Sequence, residues 1–120
     1  HVLEHNSPEQ ALLLLEAIAK VLPPDGVLVV ATPDPRSHLV LAEGFWLDPT
    51  HVRPYPRLLV ERLLAEAGFA VVASYRDPTT RPPRRWWAAV GAWLRSVLSG
   101  VDKSGPLDLV VVGRRTAQMP

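Results

Sequence analysis

Five consecutive apolar residues, Val27-Leu28-Val29-Val30-Ala31, constrain this chain more than any other feature. The run is too short for a buried helix, is mostly β-branched, and directly follows the chain breaker Pro23-Pro24-Asp25-Gly26. It reads as a strand buried on both faces. Strands of that kind belong to parallel sheets sandwiched between helices.

The flanking segments fit such a layered fold. Ser7-Pro8-Glu9-Gln10 is a helix start: Ser7 can cap, Pro8 suits the first turn, and Gln10 completes a capping box. Ala11, Leu14, Leu15, Ile18 and Leu22 then recur at helical spacing. A second amphipathic helix is predicted over about 56–67, with Leu59, Val60, Leu63, Leu64 and Ala67 inward. Gly68 is its left-handed stop, and Phe69 folds back on Leu64. Further strands are predicted at 69–75 and 107–113, and a third helix at 86–98. Residues 33–54 are proline-rich and read as a long functional loop with one helical turn near 39–42. Helices and strands therefore alternate, as in an α/β layered domain.

Composition narrows the function classes. The 120 residues carry 13 basic and 12 acidic groups, a formal charge of +1, and are 48% apolar. That is one small domain, neither disordered nor a dedicated polyanion binder, so nucleic acid is not expected as a partner. No apolar run approaches the roughly 18 residues of a membrane span. The absence of cysteine excludes disulfides and thiolate chemistry and fits a cytoplasmic location. The first residue, His1, sits inside the apolar word His1-Val2-Leu3. The expectation is that the chain is part of something longer.

Several words in order now resemble one family: Val2-Leu3-Glu4-His5, a helix, Leu22-Pro23-Pro24-Asp25-Gly26, the strand 27–31, Thr32-Pro33-Asp34, Phe45-Trp46-Leu47-Asp48-Pro49-Thr50-His51-Val52, and Ala67-Gly68-Phe69. They resemble the C-terminal half of class I S-adenosylmethionine-dependent methyltransferases, nearest to small-molecule and glycan O-methyltransferases. The likeness covers residues 1–76 well and 77–113 in layout only. It implies a partial Rossmann-like α/β sheet flanked by helices. Residues 1–3 would be the tip of the family's fourth strand, 27–31 the fifth and 69–75 the sixth. Residues 107–113 would be the seventh, inserted antiparallel between those two. All of 1–120 would be the C-terminal part of one domain, with 77–106 a variable basic, tryptophan-rich insertion. The family's glycine-rich cofactor loop has no match, since no Gly-x-Gly occurs. The chain alone should therefore be inactive. Its open apolar edge at 27–31 should drive self-association, as a dimer or by strand exchange.

The resemblance also distributes roles. His1, Val2 and Glu4 would lie beside the cofactor. His5 or His51 would be the base that takes a hydroxyl proton, a task imidazoles suit because they titrate near neutrality. Thr32, Trp46, Arg53 and Tyr55 would line the acceptor pocket, the last three on a proline-stiffened lid. Some relatives carry a Glu-x-x-Glu-His metal motif. Here it reads His1-x-x-Glu4-His5, so no metal is expected, and a bound one would draw on His1, Glu4, His5 and His51, favouring a zinc-like ion over magnesium. Plainer readings stand beside these. Glu4 and His5 can cap the next helix or pair with arginine, and Phe45 and Trp46 can simply plug the loop onto the core. In Arg81-Pro82-Pro83-Arg84-Arg85-Trp86-Trp87, the arginines are read first as solvated, next as a polyanionic-acceptor contact, and last as a membrane seat. Behind them, Trp86, Val90, Trp93, Leu94 and Val97 read as a buried stripe. The rival to a methyltransferase is a non-catalytic assembly module using that helix and the open sheet edge.

Overall fold

The structure is a computed structural model that describes residues 1–37, 40, 41, 43–80, 87, 90, 91, 93, 94, 98 and 107–117. Helix α1 spans Pro8–Val21 and α2 spans Arg57–Glu66. The strands are β1 (Val27–Pro33), β2 (Phe69–Arg76) and β3 (Asp108–Arg115). Short 3₁₀ turns occur at Leu3–His5 and Gly44–Leu47.

Local chemistry sets the boundaries. Both halves of the expected capping box form at α1: Ser7 Oγ accepts from the Gln10 amide, and Gln10 Oε1 accepts from the Ser7 amide. After α1 the chain turns through Pro23–Gly26, with Asp25 at φ 63° and the Gly26 amide donating to the Pro23 carbonyl. Helix α2 ends at Gly68, whose φ of 97° is open to glycine and strained for any other residue.

The sheet order is β1-β3-β2, with β3 antiparallel to both neighbours. The inserted last strand is thus where the family likeness implies. The register sets Val30 opposite Val111 and Pro33 opposite Asp108, which brings the carboxyl end of β1 beside the start of β3. One sheet face packs on the helices. Val30, Phe69, Leu109 and Val111 meet Ala11, Leu15, Val60 and Leu64 in a common core. Each large aliphatic buried there contributes about 1.5–3 kcal/mol. Gly113 continues this face at close quarters: a Cβ there would stand 3.1 Å from that of Phe69, which would have to give by a few tenths of an ångström.

Three expectations need correction. Strand β1 is not buried on both faces: Val27 and Val29 are 52% and 60% exposed, while Val30 on the opposite face joins the core with α1 and α2. Residues 1–3 are not a strand tip. His1 and Val2 pair with no strand among the described residues, and Leu3 already belongs to a 3₁₀ turn. In the third helix, Trp86 and Val97 lie outside the described residues, while Val90, Trp93 and Leu94 are exposed rather than a buried stripe. Of the turn expected near 39–42, Val40 and Leu41 are helical, and 39 and 42 lie outside the described residues, as do Arg81, Arg84 and Arg85. Among the described residues no helix is long and apolar enough to cross a membrane.

Candidate functional site

The turn Leu3–His5 places Glu4 under the carboxyl end of β1, where its side chain is completely buried. Thr32 Oγ1 donates to Glu4 Oε2 at 3.1 Å. The other oxygen, Oε1, has no hydrogen-bond partner. His1 Nδ1 stands 3.2 Å away, within ion-pair reach but not bonded. The other ring nitrogen of His1, Nε2, is 3.2 Å from Oδ2 of Asp108 at the start of β3. Burial, helped by nearby Asp77, pushes the Asp108 carboxyl above its ordinary range. An orphaned buried carboxylate oxygen is costly, so its presence at a strand's carboxyl end points to work done there.

A returning loop brings in the rest. Asp48-Pro49-Thr50-His51 forms a tight turn closed by the His51 amide on the Asp48 carbonyl at 3.1 Å. Asp48 Oδ1 accepts from both the Thr50 amide at 2.8 Å and its hydroxyl at 2.5 Å, and these bonds hold the Asp48 carboxyl below its usual range. Beyond the turn, the Val52 amide donates to the Glu4 carbonyl at 2.7 Å, and the Tyr55 hydroxyl donates to the Asn6 carbonyl at 2.5 Å. This strap carries His51 across 46 positions to within 4.7 Å of His5, ring centroid to ring centroid.

Phe45 seats His51. Its buried ring stacks on the imidazole at 4.4 Å, and its carbonyl accepts from His51 Nδ1 at 2.6 Å. A carbonyl can only accept, so Nδ1 carries the hydrogen, and His51 Nε2 stands 3.5 Å from Asp48 Oδ2. One ligand atom each from Glu4, His5 and His51 lie within 4.8 Å of one another. The set can accept a proton from a hydroxyl or, as two nitrogens and an oxygen, bind a divalent cation.

The methyltransferase-domain family matches residues 1–74, well over half of the chain. The chain belongs to that family. A crystal structure of a SAM-dependent methyltransferase from Archaeoglobus fulgidus shares its fold, with a TM-score of 0.70 at 21% identity over 96% of this chain and 56% of that one. The chain therefore spans little more than half the length of that relative. No curated protein matches.

Within this methyltransferase domain the expected site residues separate into groups. Glu4, His5 and His51 come together, whereas His1 faces Glu4 and Asp108 and Val2 is exposed beside it. Thr32 is buried and bonded to Glu4, so it anchors that carboxylate rather than bordering open space. Tyr55 lies in the core instead of on the lid surface, its hydroxyl committed to Asn6. Burial pushes its phenol up from the usual value. Trp46 and Arg53 are exposed on the loop. The Trp46 indole donates to the Leu41 carbonyl at 3.0 Å, and the Arg53 guanidinium lies 5.8 Å over the Tyr55 ring. Sequence reasoning gives Thr50 no role, although Asp48-Pro49-Thr50 is an Asx-turn pattern that announces such a bond.

Proposed function

We propose that the full-length protein transfers a methyl group from S-adenosylmethionine to an oxygen of a small or sugar-like acceptor. The observation that carries this reading is the convergence of Glu4, His5 and His51 at the carboxyl end of β1 in a methyltransferase domain. The cofactor supplies an electrophilic methyl on a sulfonium that leaves as a thioether when the acceptor oxygen takes the methyl. A ring nitrogen of His5 or His51 takes the acceptor's hydroxyl proton, and Glu4 offsets the imidazolium charge that results. His1 and Val2 stand at the exposed rim beside these groups and offer one wall for the cofactor. The chain has no Gly-x-Gly turn, so the 120 residues by themselves are expected to give no turnover.

Methyl-labelled S-adenosylmethionine offered to the full-length protein with a panel of sugar and phenolic hydroxyl compounds tests this. Replacing the base, His5→Ala or His51→Ala, should lower kcat by about 10²–10⁴-fold. Activity within tenfold of wild type in both variants would count against the assignment.

One observation favours a second reading of the same atoms. Glu4 is completely buried with one oxygen unbonded, it lies within 4.8 Å of ligand atoms of two imidazoles, and the donor chemistry fits a zinc-like ion better than magnesium. Such an ion, held by Glu4, His5 and His51, would lower the pKa of an acceptor hydroxyl. Metal analysis of the full-length protein against Glu4→Ala separates the readings. Stoichiometric metal lost in the variant supports this one, and a metal-free protein that is active in chelator supports the proton base.

A further inference from the structure

The two histidines hold their rings by different means. Two oxygens converge on His5 Nδ1: Thr50 Oγ1 at 2.8 Å and the Thr50 carbonyl at 3.2 Å. The carbonyl can only accept. The hydroxyl owns one hydrogen, and Asp48 Oδ1 takes it at 2.5 Å. Neither oxygen has a proton to give the ring, so His5 Nδ1 must carry its own, and Nε2 is bare. A free histidine side chain in water favours the opposite tautomer. Here the same Asp48 oxygen also accepts from the Thr50 amide at 2.8 Å, so one atom fixes both the turn and the direction of the hydroxyl.

We propose that Thr50, held by Asp48, is a positioning residue that locks His5 in its Nδ1–H form and aims the bare Nε2 at the space shared with Glu4 and His51. The proposal rests on the reading of His5 as a working group of the site, yet the tautomer is measurable without turnover. His51 serves as an internal control. Its Nδ1 donates to the Phe45 carbonyl, a backbone partner that no change at Thr50 removes.

Histidine-selective ¹⁵N labelling of the full-length protein, at a pH where the rings are neutral, reads each tautomer, because bare and protonated ring nitrogens resonate far apart. Both His5 and His51 should be Nδ1–H in the wild type. Thr50→Val keeps the shape but removes the shorter of the two bonds, leaving His5 Nδ1 only the Thr50 carbonyl at 3.2 Å, and should shift His5 part-way toward the Nε2–H form while His51 stays as it was. Thr50→Ser should restore the single form. Should Thr50→Val not fold, Thr50→Ala removes the same hydroxyl and leaves the Asp48 carboxylate, 3.5 Å from His51 Nε2, in place. In turnover, Thr50→Val should lower kcat by about tenfold to a hundredfold with KM little changed, and Thr50→Ser should recover it. Three results overturn the proposal: a wild-type His5 in the Nε2–H form, His5 signals unmoved by the substitution, or His5 and His51 shifting together. A protein that shows the expected tautomers but transfers no methyl group would sink the proposed function and leave this inference standing.

Discussion

Glu4 is a buried charge with half of its hydrogen-bonding capacity unmet, and that makes its role separable from stability. If the carboxylate were a structural ion pair with His1, neutralising it would weaken the fold. If it serves the site, Glu4→Gln should leave stability unchanged or raise it by about 1 kcal/mol, while methyl transfer falls sharply. Urea unfolding alongside activity distinguishes the two, and a stability loss above about 1 kcal/mol favours the structural role. Tyr55 gives a test with a pH sign. Burial raises its phenol pKa above that of the unfolded chain, so the folded state prefers the protonated form. Its contribution is whole below about pH 10 and is lost as pH rises through the raised value. Tyr55→Phe should therefore cost about 1 kcal/mol at pH 7, from the lost bond to the Asn6 carbonyl. The gap to wild type should narrow or reverse on the alkaline side. A gap that widens there contradicts the burial of the phenol.

Strand β1 and the loop after it show what single elements can and cannot announce. The apolar face of β1 packs on α1 and the core. Its other face is open, and its outer edge pairs with no strand among the described residues. Along that edge runs an apolar groove of about 260 Å³, lined by Val2, Leu14, Ile18, Leu28 and Val29 among others. An unpaired apolar edge is a pairing template, so this chain, isolated, should self-associate. Light scattering after size exclusion should show dimers or larger species that dissociate on dilution, and a monomer at every concentration would contradict it. The helices, their caps and the left-handed stop at Gly68 were legible because each depends on a few adjacent residues. The exposed face of β1 was not, since five apolar residues look the same whether one face or two are covered. The site was half legible. Glu4 and His5 follow the opening word of the chain, and His51 stands out as a histidine in an aromatic loop. Their meeting depends on backbone bonds from Val52 to Glu4 and on a tyrosine reaching Asn6, and residue types alone do not encode that pairing. Tyr55 was misplaced for the same reason: an aromatic in a polar loop does not reveal which way its ring turns.

At the scale of the molecule, the inserted antiparallel strand β3 ties the arrangement together. It places Asp108 against Pro33 and within 3.2 Å of His1, and anchors β2 through the register that runs from Phe69 to Arg76. The Arg76 guanidinium bonds the buried Asp34 carboxylate at 2.5 Å, closing the carboxyl ends of β1 and β2 over β3. The site thus rests on a scaffold held from both sides, while the exposed rim at His1 and Val2 faces the open edge. On the proposed function, Glu4, His5 and His51 would serve the acceptor side of the pocket. The central claim is tested most directly by isothermal titration of that protein with S-adenosylhomocysteine. The account predicts saturable binding at one site per chain, and a full-length, folded protein that takes up no S-adenosylhomocysteine would contradict it.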